Sequence, residues 1–456
     1  MMKIREIKIR KLFGLFDYDI ELNQNDDLTI LTGPNGYGKT TILNIIYNLF
    51  NQRFFYFQKL NFELISVYFS DDRRITIIKK TGKGKTEQLF QIVDGMPQVI
   101  QMQPNTTEVA IELSNENNQI ETYTYNSEAE NRLIQSISQS IPVHRVSANT
   151  VIDNRTGKQT SLREFLNENA DYIPDKMIHL LERQRDKNAQ ISQLLNDTNV
   201  YLIKEQRLLK KQFSGMNKPD GSNISFINTI EEYAKELKNK IEQKQLEAYQ
   251  ITQKLDSSFP KRLIECKNDI DEVEFNDRFA RLTEKQKQLQ QFGIATVEQG
   301  VTQYEKSAAK VLTVYLNDSE QKVGVYDELL SKIELFVNIL NEKRFAFKSI
   351  VINGAQGFYF ETDDGQKLNL TDLSSGEQQE VVLLYELLFK TIPNTFILID
   401  EPEISLHVMW QKAFIGDLQK ISKMQKISFL ISTHSPQIIN DRWDLEVDLY
   451  NLSQKD

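Results

Sequence analysis

Cysteine is almost missing from this chain. The single Cys266 excludes an internal disulfide, and the four scattered histidines offer no cluster with metal-ligand spacing. Long apolar runs are missing too. Val381-Val382-Leu383-Leu384-Tyr385 is interrupted by Glu386, well short of the roughly 20 residues a membrane-spanning helix needs. The opening Met1-Met2-Lys3-Ile4-Arg5 alternates like a strand and lacks a signal-peptide core. These absences lead to the expectation of a cytoplasmic protein with no membrane partner. Positive charge is not in excess either: a net charge of -9 and a pI near 5.3 argue against wholesale coating of nucleic acid, although a local basic patch can coexist with an acidic total. What remains is a chain of 456 residues, 40% hydrophobic and 26% charged, with a mean hydropathy of -0.46. That is room for two or three domains and a large core, with the extra polar surface that long solvated helices would supply.

The most informative stretch is Gly33-Pro34-Asn35-Gly36-Tyr37-Gly38-Lys39-Thr40-Thr41, which follows the apolar run Leu28 to Leu31 and leads into Ile42-Leu43-Asn44-Ile45-Ile46-Tyr47. It satisfies G-x-x-x-x-G-K-[ST] between a strand and a helix, the setting a phosphate-binding loop requires. Glycines let consecutive N–H groups of the loop, from Asn35 and Gly36 through Gly38 to Thr41, turn towards one centre, where the helix dipole adds positive potential. A triphosphate is the expected guest, with Lys39 on its β- and γ-phosphates and the Thr40 hydroxyl on Mg²⁺. A partial copy, Thr81-Gly82-Lys83-Gly84-Lys85-Thr86, has Lys79 where the first glycine belongs and reads as a hairpin tip.

Strand-like runs recur at Ile4 to Ile9, Tyr18 to Leu22, Leu64 to Phe69, Ile75 to Ile78, Val109 to Leu113 and Glu121 to Tyr125. Gln52 and Gln58 both lie where a metal- or water-contacting glutamine would sit after the first helix, and the sequence does not choose between them. From about Leu162 to Lys343 the composition turns to Glu, Gln, Lys, Asn and Leu. Ile230, Tyr233, Leu237, Ile241, Ala248, Ile251 and Leu255 form an apolar stripe that predicts a packed or coiled-coil helix. The segment from Ile191 to Leu209 is expected to be its antiparallel partner, with the hairpin tip at Ser214 to Ser222 and a second break near Ser257-Ser258-Phe259-Pro260. On that helical reading Lys204, Arg207, Lys210 and Lys211 share one face, either a contact for DNA phosphates or an acidic surface, or a solvated face balanced by its partner helix.

Strands return after Arg344, and three further motifs follow. Ser374-Ser375-Gly376-Glu377 opens an apolar helix; Ser374 and Gly376 would offer a hydroxyl and free N–H groups to a γ-phosphate, although a plain capping box explains the pattern equally well in isolation. Phe396 to Ile399 is a buried-strand run ending in Asp400-Glu401-Pro402-Glu403, with Asp400 suited to hold Mg²⁺ and Glu401 to act as general base. Phe429 to Ser432 repeats the design and ends in Thr433-His434-Ser435-Pro436, with His434 placed to sense the γ-phosphate and position water.

In this order the motifs resemble the ATP-binding-cassette ATPases, in the branch of the chromosome-maintenance, recombination-repair and overcoming-lysogenization-defect proteins. Glu401-Pro402-Glu403-Ile404-Ser405-Leu406-His407 with Trp410 is especially similar to the last of these and to related anti-phage ATPases. The resemblance implies an α/β fold: an ABC-ATPase head, with a mixed β-sheet and flanking helices, interrupted by a helical coiled-coil hairpin insert. The expected spans are 1–160 for the N-terminal lobe, 161–345 for the insert and 346–456 for the C-terminal lobe. Ser375 replaces the usual glycine of the signature loop, as in other members of this branch, and Val408 stands where a proline is common. The resemblance also implies a homo-oligomer in which two heads meet head-to-tail over ATP, Ser374 and Gly376 of one chain completing the site of Lys39, Thr40, Asp400, Glu401 and His434 in another. No nuclease segment of topoisomerase-primase type follows His434 before Asp456, so a separate effector nuclease is the expected partner, released when an acidic, DNA-mimicking phage trigger is sensed. The alternative is a DNA-binding ATPase that clamps duplex DNA in repair or processing.

Overall fold

The computed structural model describes residues 3–83, 87–93, 96–102, 105–115, 119–125, 143–145, 150–153, 159–161, 190–203, 208–213, 224–267, 269–295, 303–342, 345, 347–404 and 406–454. They fall into two compact units, one of Met1–Glu205, Lys211–Ser225 and Ile392–Asp456, the other of Gln206–Lys210 and Phe226–Thr391. The architecture is mixed α/β, with a long helical region in the second unit.

The first unit begins with β1 (Ile4–Leu12), β2 (Phe16–Glu21), β3 (Leu28–Thr32), α1 (Lys39–Phe50), α2 (Phe55–Lys59), β4 (Leu64–Phe69) and β5 (Arg74–Lys83). It continues with β6 (Glu87–Val93), β7 (Met96–Met102), β8 (Asn105–Ser114), β9 (Gln119–Tyr125), β10 (Val143–Arg145), β11 (Thr150–Asp153), β12 (Gln159–Ser161), α3 (Gln190–Asp197) and β13 (Val200–Ile203). An antiparallel sheet runs β2-β1-β4-β5-β8-β9, with β10-β11-β12 and β6-β7 as smaller ladders. The Thr81 to Thr86 stretch is not a hairpin tip between paired strands. Thr81, Gly82 and Lys83 belong to β5 and pair with β8 at Thr107, Thr106 and Asn105, whereas β6 pairs with β7; residues 84–86 lie outside the described ones.

After β14 (Leu209–Phe213) and β15 (Ile224–Asn228), the second unit holds α4 (Thr229–Glu265), α5 (Glu272–Gln291), α6 (Ala309–Gly324), α7 (Asp327–Glu342), β16 (Lys348–Asn353), β17 (Gly357–Thr362), β18 (Lys367–Leu368) and α8 (Ser375–Tyr385). The chain then returns to the first unit with β19 (Phe396–Asp400), α9 (Val408–Gln425), β20 (Ser428–Ser432), α10 (Pro436–Ile439), β21 (Glu446–Asp448) and α11 (Leu449–Ser453). There β13-β19-β20-β3-β21 form a second sheet, parallel throughout. β3 and β19 are buried along their whole length, as strands covered on both faces must be. Helix α1 buries Ile42, Leu43, Ile45, Ile46, Leu49 and Phe50 in one cluster with residues of both sheets, which fixes its N-terminus at the C-terminal ends of the parallel strands.

Three expectations about the insert are corrected. The stretch from Ile191 to Leu209 is not the helical partner of α4: after the short α3, Val200–Ile203 pairs with Phe396–Ile399 as a strand of the parallel sheet. A short apolar run fits helix or strand equally well on periodicity, and the vacant edge of β19 decides it. Helix α8 lies in the second unit. Lys210 and Lys211 fall in strand β14, so they do not share a helix face; Lys204, Arg207 and the expected tip at Ser214 to Ser222 lie outside the described residues. Nor does the helix break at Pro260, which sits inside the 37 residues of α4. Proline removes the helical donor to the Asp256 carbonyl, but the helix is held on both sides of it by the ion pairs of Asp256 with Lys322 and Arg262 with Asp318.

The element running antiparallel to the far end of α4 comes later in the chain. Asp256 pairs with Lys322 of α6 at 2.9 Å, and Arg262 with Asp318. Ile270, Phe275 and Leu282 close the core beneath with Leu312 and Leu316. Nearer its start, α4 lies against β17 so closely that a Cβ on Gly357, at φ 84°, would fall 1.9 Å from the Ala234 carbonyl oxygen; only glycine fits there. Among the described residues no helix is long and apolar enough to cross a membrane.

Candidate active site

The site forms where β3, β19 and β20 end side by side, the position at which open parallel sheets bind ligands. The loop after β3 has Gly33, Gly36 and Gly38 at φ 137°, 87° and 86°, and Gly38 caps α1 in the left-handed region. A Cβ on Gly38 would sit 3.0 Å from Leu12 Cδ2, whereas one on Gly36 would meet nothing within 4 Å. The Tyr18 hydroxyl donates to Tyr37 O at 2.8 Å, bracing the loop from β2. Asn35 and Gly36 are exposed, Thr41 half-buried, and Lys39 buried at 5% exposure.

Lys39 Nζ donates to Gly33 O at 2.9 Å and lies 2.5 Å from His434 Nε2. An ammonium has donors only, so Nε2 is assigned as the acceptor and the His434 imidazole as neutral, protonated on Nδ1. Burial holds the Lys39 pKa below the usual lysine range, against the opposing charges of Glu401, Asp400 and Glu403. Thr40 Oγ1 donates to Asp400 Oδ1 at 3.1 Å, and Ser432 Oγ donates to the same oxygen. Two adjacent ligands of an octahedral Mg²⁺ lie about 3.0 Å apart, so the hydroxyl and the carboxylate fit that cation. When bound, Mg²⁺ would neutralise phosphate charge between them.

Glu401 follows Asp400 at φ 43°, a left-handed conformation that costs a non-glycine residue about 1–3 kcal/mol and persists only where the surroundings impose it. Its N–H donates to Ser432 O at 3.0 Å, which turns the half-buried carboxylate towards His434; Oε1 lies 3.7 Å from Nε2. Glu403, to which the sequence assigns no role, accepts the His434 main-chain N–H at 2.6 Å. Ser432, Tyr18 and Gln411 were also unassigned. A signal for Ser432 existed: two apolar strands with polar tips, once paired in parallel, place Ser432 opposite Asp400.

The structure thus brings together Lys39, Thr40, Asp400, Glu401 and His434. Gln52 is not among them: it is buried beyond the far end of α1 and donates to Asn196 Oδ1 at 2.6 Å, while the main chain of Gln58 accepts from Lys79. In the second unit, Ser374 caps α8 in a capping box with Glu377. Its hydroxyl accepts from Glu377 N at 3.4 Å, and its N–H donates to Glu377 Oε2 at 2.8 Å. Lys348 Nζ reaches both oxygens of Glu377 at 2.9 and 3.0 Å. Ser374 is exposed and Gly376 half-buried. Ser375 needs no glycine because it is the first residue of a right-handed helix. Val408 likewise opens α9 after the His407 cap, where proline is favoured but its missing N–H is not required.

A strand-loop-helix phosphate site with paired acidic residues at the neighbouring strand end is the arrangement of a nucleoside-triphosphate hydrolase. The AAA ATPase domain family matches residues 2–439; the chain belongs to that family and is an ATPase. No curated protein matches the chain. Solved structures similar to it include the Smc head domain of Pyrococcus furiosus with an extended coiled coil, bound to the C-terminal domain of ScpA. That structure is 13% identical at a TM-score of 0.34, over 96% of this chain and 91% of the other. Another is the SMC head domain of Thermotoga maritima, 10% identical at a TM-score of 0.32, over 98% and 94%.

Proposed function

We propose that this ATPase is the sensing and scaffolding component of an anti-phage defence system, resembling AriA of PARIS. ATP joins two copies head-to-tail, and the assembly sequesters a separate toxic nuclease of topoisomerase-primase type until a phage trigger releases it. The observation that carries the ATP chemistry is the convergence of Lys39 and His434 at 2.5 Å beside the Thr40–Asp400 pair at 3.1 Å. Lys39 binds phosphate, Thr40 and Asp400 hold Mg²⁺, Glu401 takes the proton of the attacking water, and His434 orients that water towards the γ-phosphate. The main-chain N–H groups from Asn35 to Thr41 line the phosphates. Ser374 and Gly376 come from the other copy, so a lone chain turns over slowly and the protein works as a homo-oligomer, in the cytoplasm. The defence role rests on the motif resemblance around Glu401 to His407.

The test is to purify the Glu401→Gln protein from its native cells in ATP and Mg²⁺ and identify by mass what co-purifies. A stoichiometric small protein that leaves on adding a phage protein supports the scaffold. Co-purifying duplex DNA, with DNA-stimulated hydrolysis that falls steeply with salt, replaces it with a DNA-clamping ATPase.

A further inference from the structure

Glu403 lies in the short turn Pro402–Ile404 beyond β19, and neither the phosphate contacts nor the water-activating pair uses it. Its Oε1 accepts the His434 N–H at 2.6 Å, so a carboxylate following one strand grips the backbone following the next. A second tie runs parallel to it: Ser435 Oγ donates to Gln411 Oε1 at 2.8 Å, and Gln411 Nε2 donates to Leu406 O at 3.0 Å. The His434 side chain is partly exposed, at 35%, and its Nε2 meets Lys39 and Glu401, groups that ATP and water would engage. Its aim must therefore come from its backbone. The other Glu403 oxygen, Oε2, is buried with no hydrogen-bond partner. An unpaired buried polar atom is costly, and each one kept in a folded protein calls for an explanation such as strain or function. An apolar side chain at this turn would avoid that cost.

We propose that Glu403 is a positioning residue for ATP hydrolysis: its hydrogen bond to the His434 main-chain N–H fixes the loop that aims the imidazole at the γ-phosphate. The inference rests on the reading of His434 as part of the hydrolytic site. Glu403 then matters to turnover and little to binding, because Lys39, Thr40 and the loop amides hold the phosphates without it. Displacing a reacting group by about 1 Å costs on the order of 10²-fold, and that sets the scale of the effect.

The experiment measures kcat, KM, ATP affinity and Mg²⁺ half-saturation for Glu403→Ala, Glu403→Gln, His434→Ala and the Glu403→Ala/His434→Ala double variant, with thermal melting as the folding control. Glu403→Ala is expected to lower kcat by about 10- to 100-fold with ATP affinity nearly unchanged. Glu403→Gln keeps an oxygen for the His434 N–H and restores most of the rate. In the double variant, Glu403→Ala adds nothing to His434→Ala, since a residue acting only through another shows full coupling. Multiplicative losses would overturn the proposal, as would wild-type turnover by Glu403→Ala. A Glu403→Gln variant as slow as Glu403→Ala that needs more Mg²⁺ would make Glu403 a metal ligand instead. If His434→Ala alone hydrolyses ATP at the wild-type rate, it is the site reading that fails, and the comparison separates that outcome from a failure of Glu403.

Discussion

Nζ of Lys39 and Nε2 of His434 lie 2.5 Å apart, joining the first residue of α1 to the loop after β20 across 395 positions of sequence. The lysine proposed to hold phosphate is turned inward, satisfied by His434 and by the Gly33 carbonyl at 2.9 Å. Phosphate binding exchanges these neutral acceptors for charged ones, which is favourable because hydrogen bonds to ionised groups are the stronger kind.

Lys39→Ala should weaken ATP binding by about 10- to 100-fold, since a hydrogen bond to a charged group contributes about 1.5–3 kcal/mol. The pH dependence has a definite sign. Burial lowers the Lys39 pKa in the free site, so the ammonium is lost at a pH below the usual lysine range. ATP affinity is then highest below that depressed pKa and falls as pH rises through it. Calorimetric titration with ATP from pH 7 upwards should show the decline in the wild type before an ordinary lysine titrates, and Lys39→Ala should lack it. Constant affinity through the alkaline range would remove Lys39 from phosphate binding.

On the proposed mechanism, replacing Glu401 by glutamine removes the general base while preserving shape. Turnover should drop by about 10²- to 10⁴-fold with ATP still bound, and light scattering should show an ATP-dependent assembly that persists instead of dissociating. Wild-type phosphate release by Glu401→Gln would assign the base elsewhere.

Gly36→Ala and Gly38→Ala separate backbone strain from crowding. Both positions are left-handed, at φ 87° and 86°, and alanine there costs roughly 1–2 kcal/mol. Only at Gly38 does the added methyl also press on Leu12 at 3.0 Å and Phe13 at 3.3 Å. Urea unfolding should rank Gly38→Ala below Gly36→Ala. Equal stabilities would mean that Leu12 and Phe13 give way freely.

Lys348→Met should blunt a pH effect in the second unit. Burial works to raise the Glu377 pKa, but the Lys348 ammonium together with the Ser374 hydroxyl and N–H outweighs it and leaves the carboxyl below its usual range. A carboxylate depressed in the fold stabilises it above the unfolded pKa, and that contribution is lost as pH falls through the folded value. Melting temperatures followed from neutral to acid pH should therefore fall less in Lys348→Met than in the wild type, starting from a lower plateau. Superimposable profiles would show that Lys348 does not sustain the Glu377 charge.

The β-strands and the phosphate loop were legible because their signals are local. Leu28 to Leu31 followed by the glycine-rich loop, and Phe396 to Ile399 followed by Asp400-Glu401, announce buried strands with polar ends through residues adjacent in sequence. Val200–Ile203 misled because its four residues fit a helical stripe, and only β19, nearly 200 positions away, makes them a strand. Pro260 misled for a related reason: the ion pairs that flank it, Asp256–Lys322 and Arg262–Asp318, form only once α6 lies beside α4.

The sequence by itself determined that this chain builds a phosphate-binding loop and two acid- or histidine-tipped strands, because glycine spacing and apolar runs act over a few residues. Tertiary structure alone decided that Glu403 grips the His434 backbone, that Ser432 shares the Asp400 oxygen with Thr40, and that α6 runs beside α4. Those pairings depend on strand order and register, which bring distant segments within hydrogen-bond range and leave no trace in the spacing of either segment.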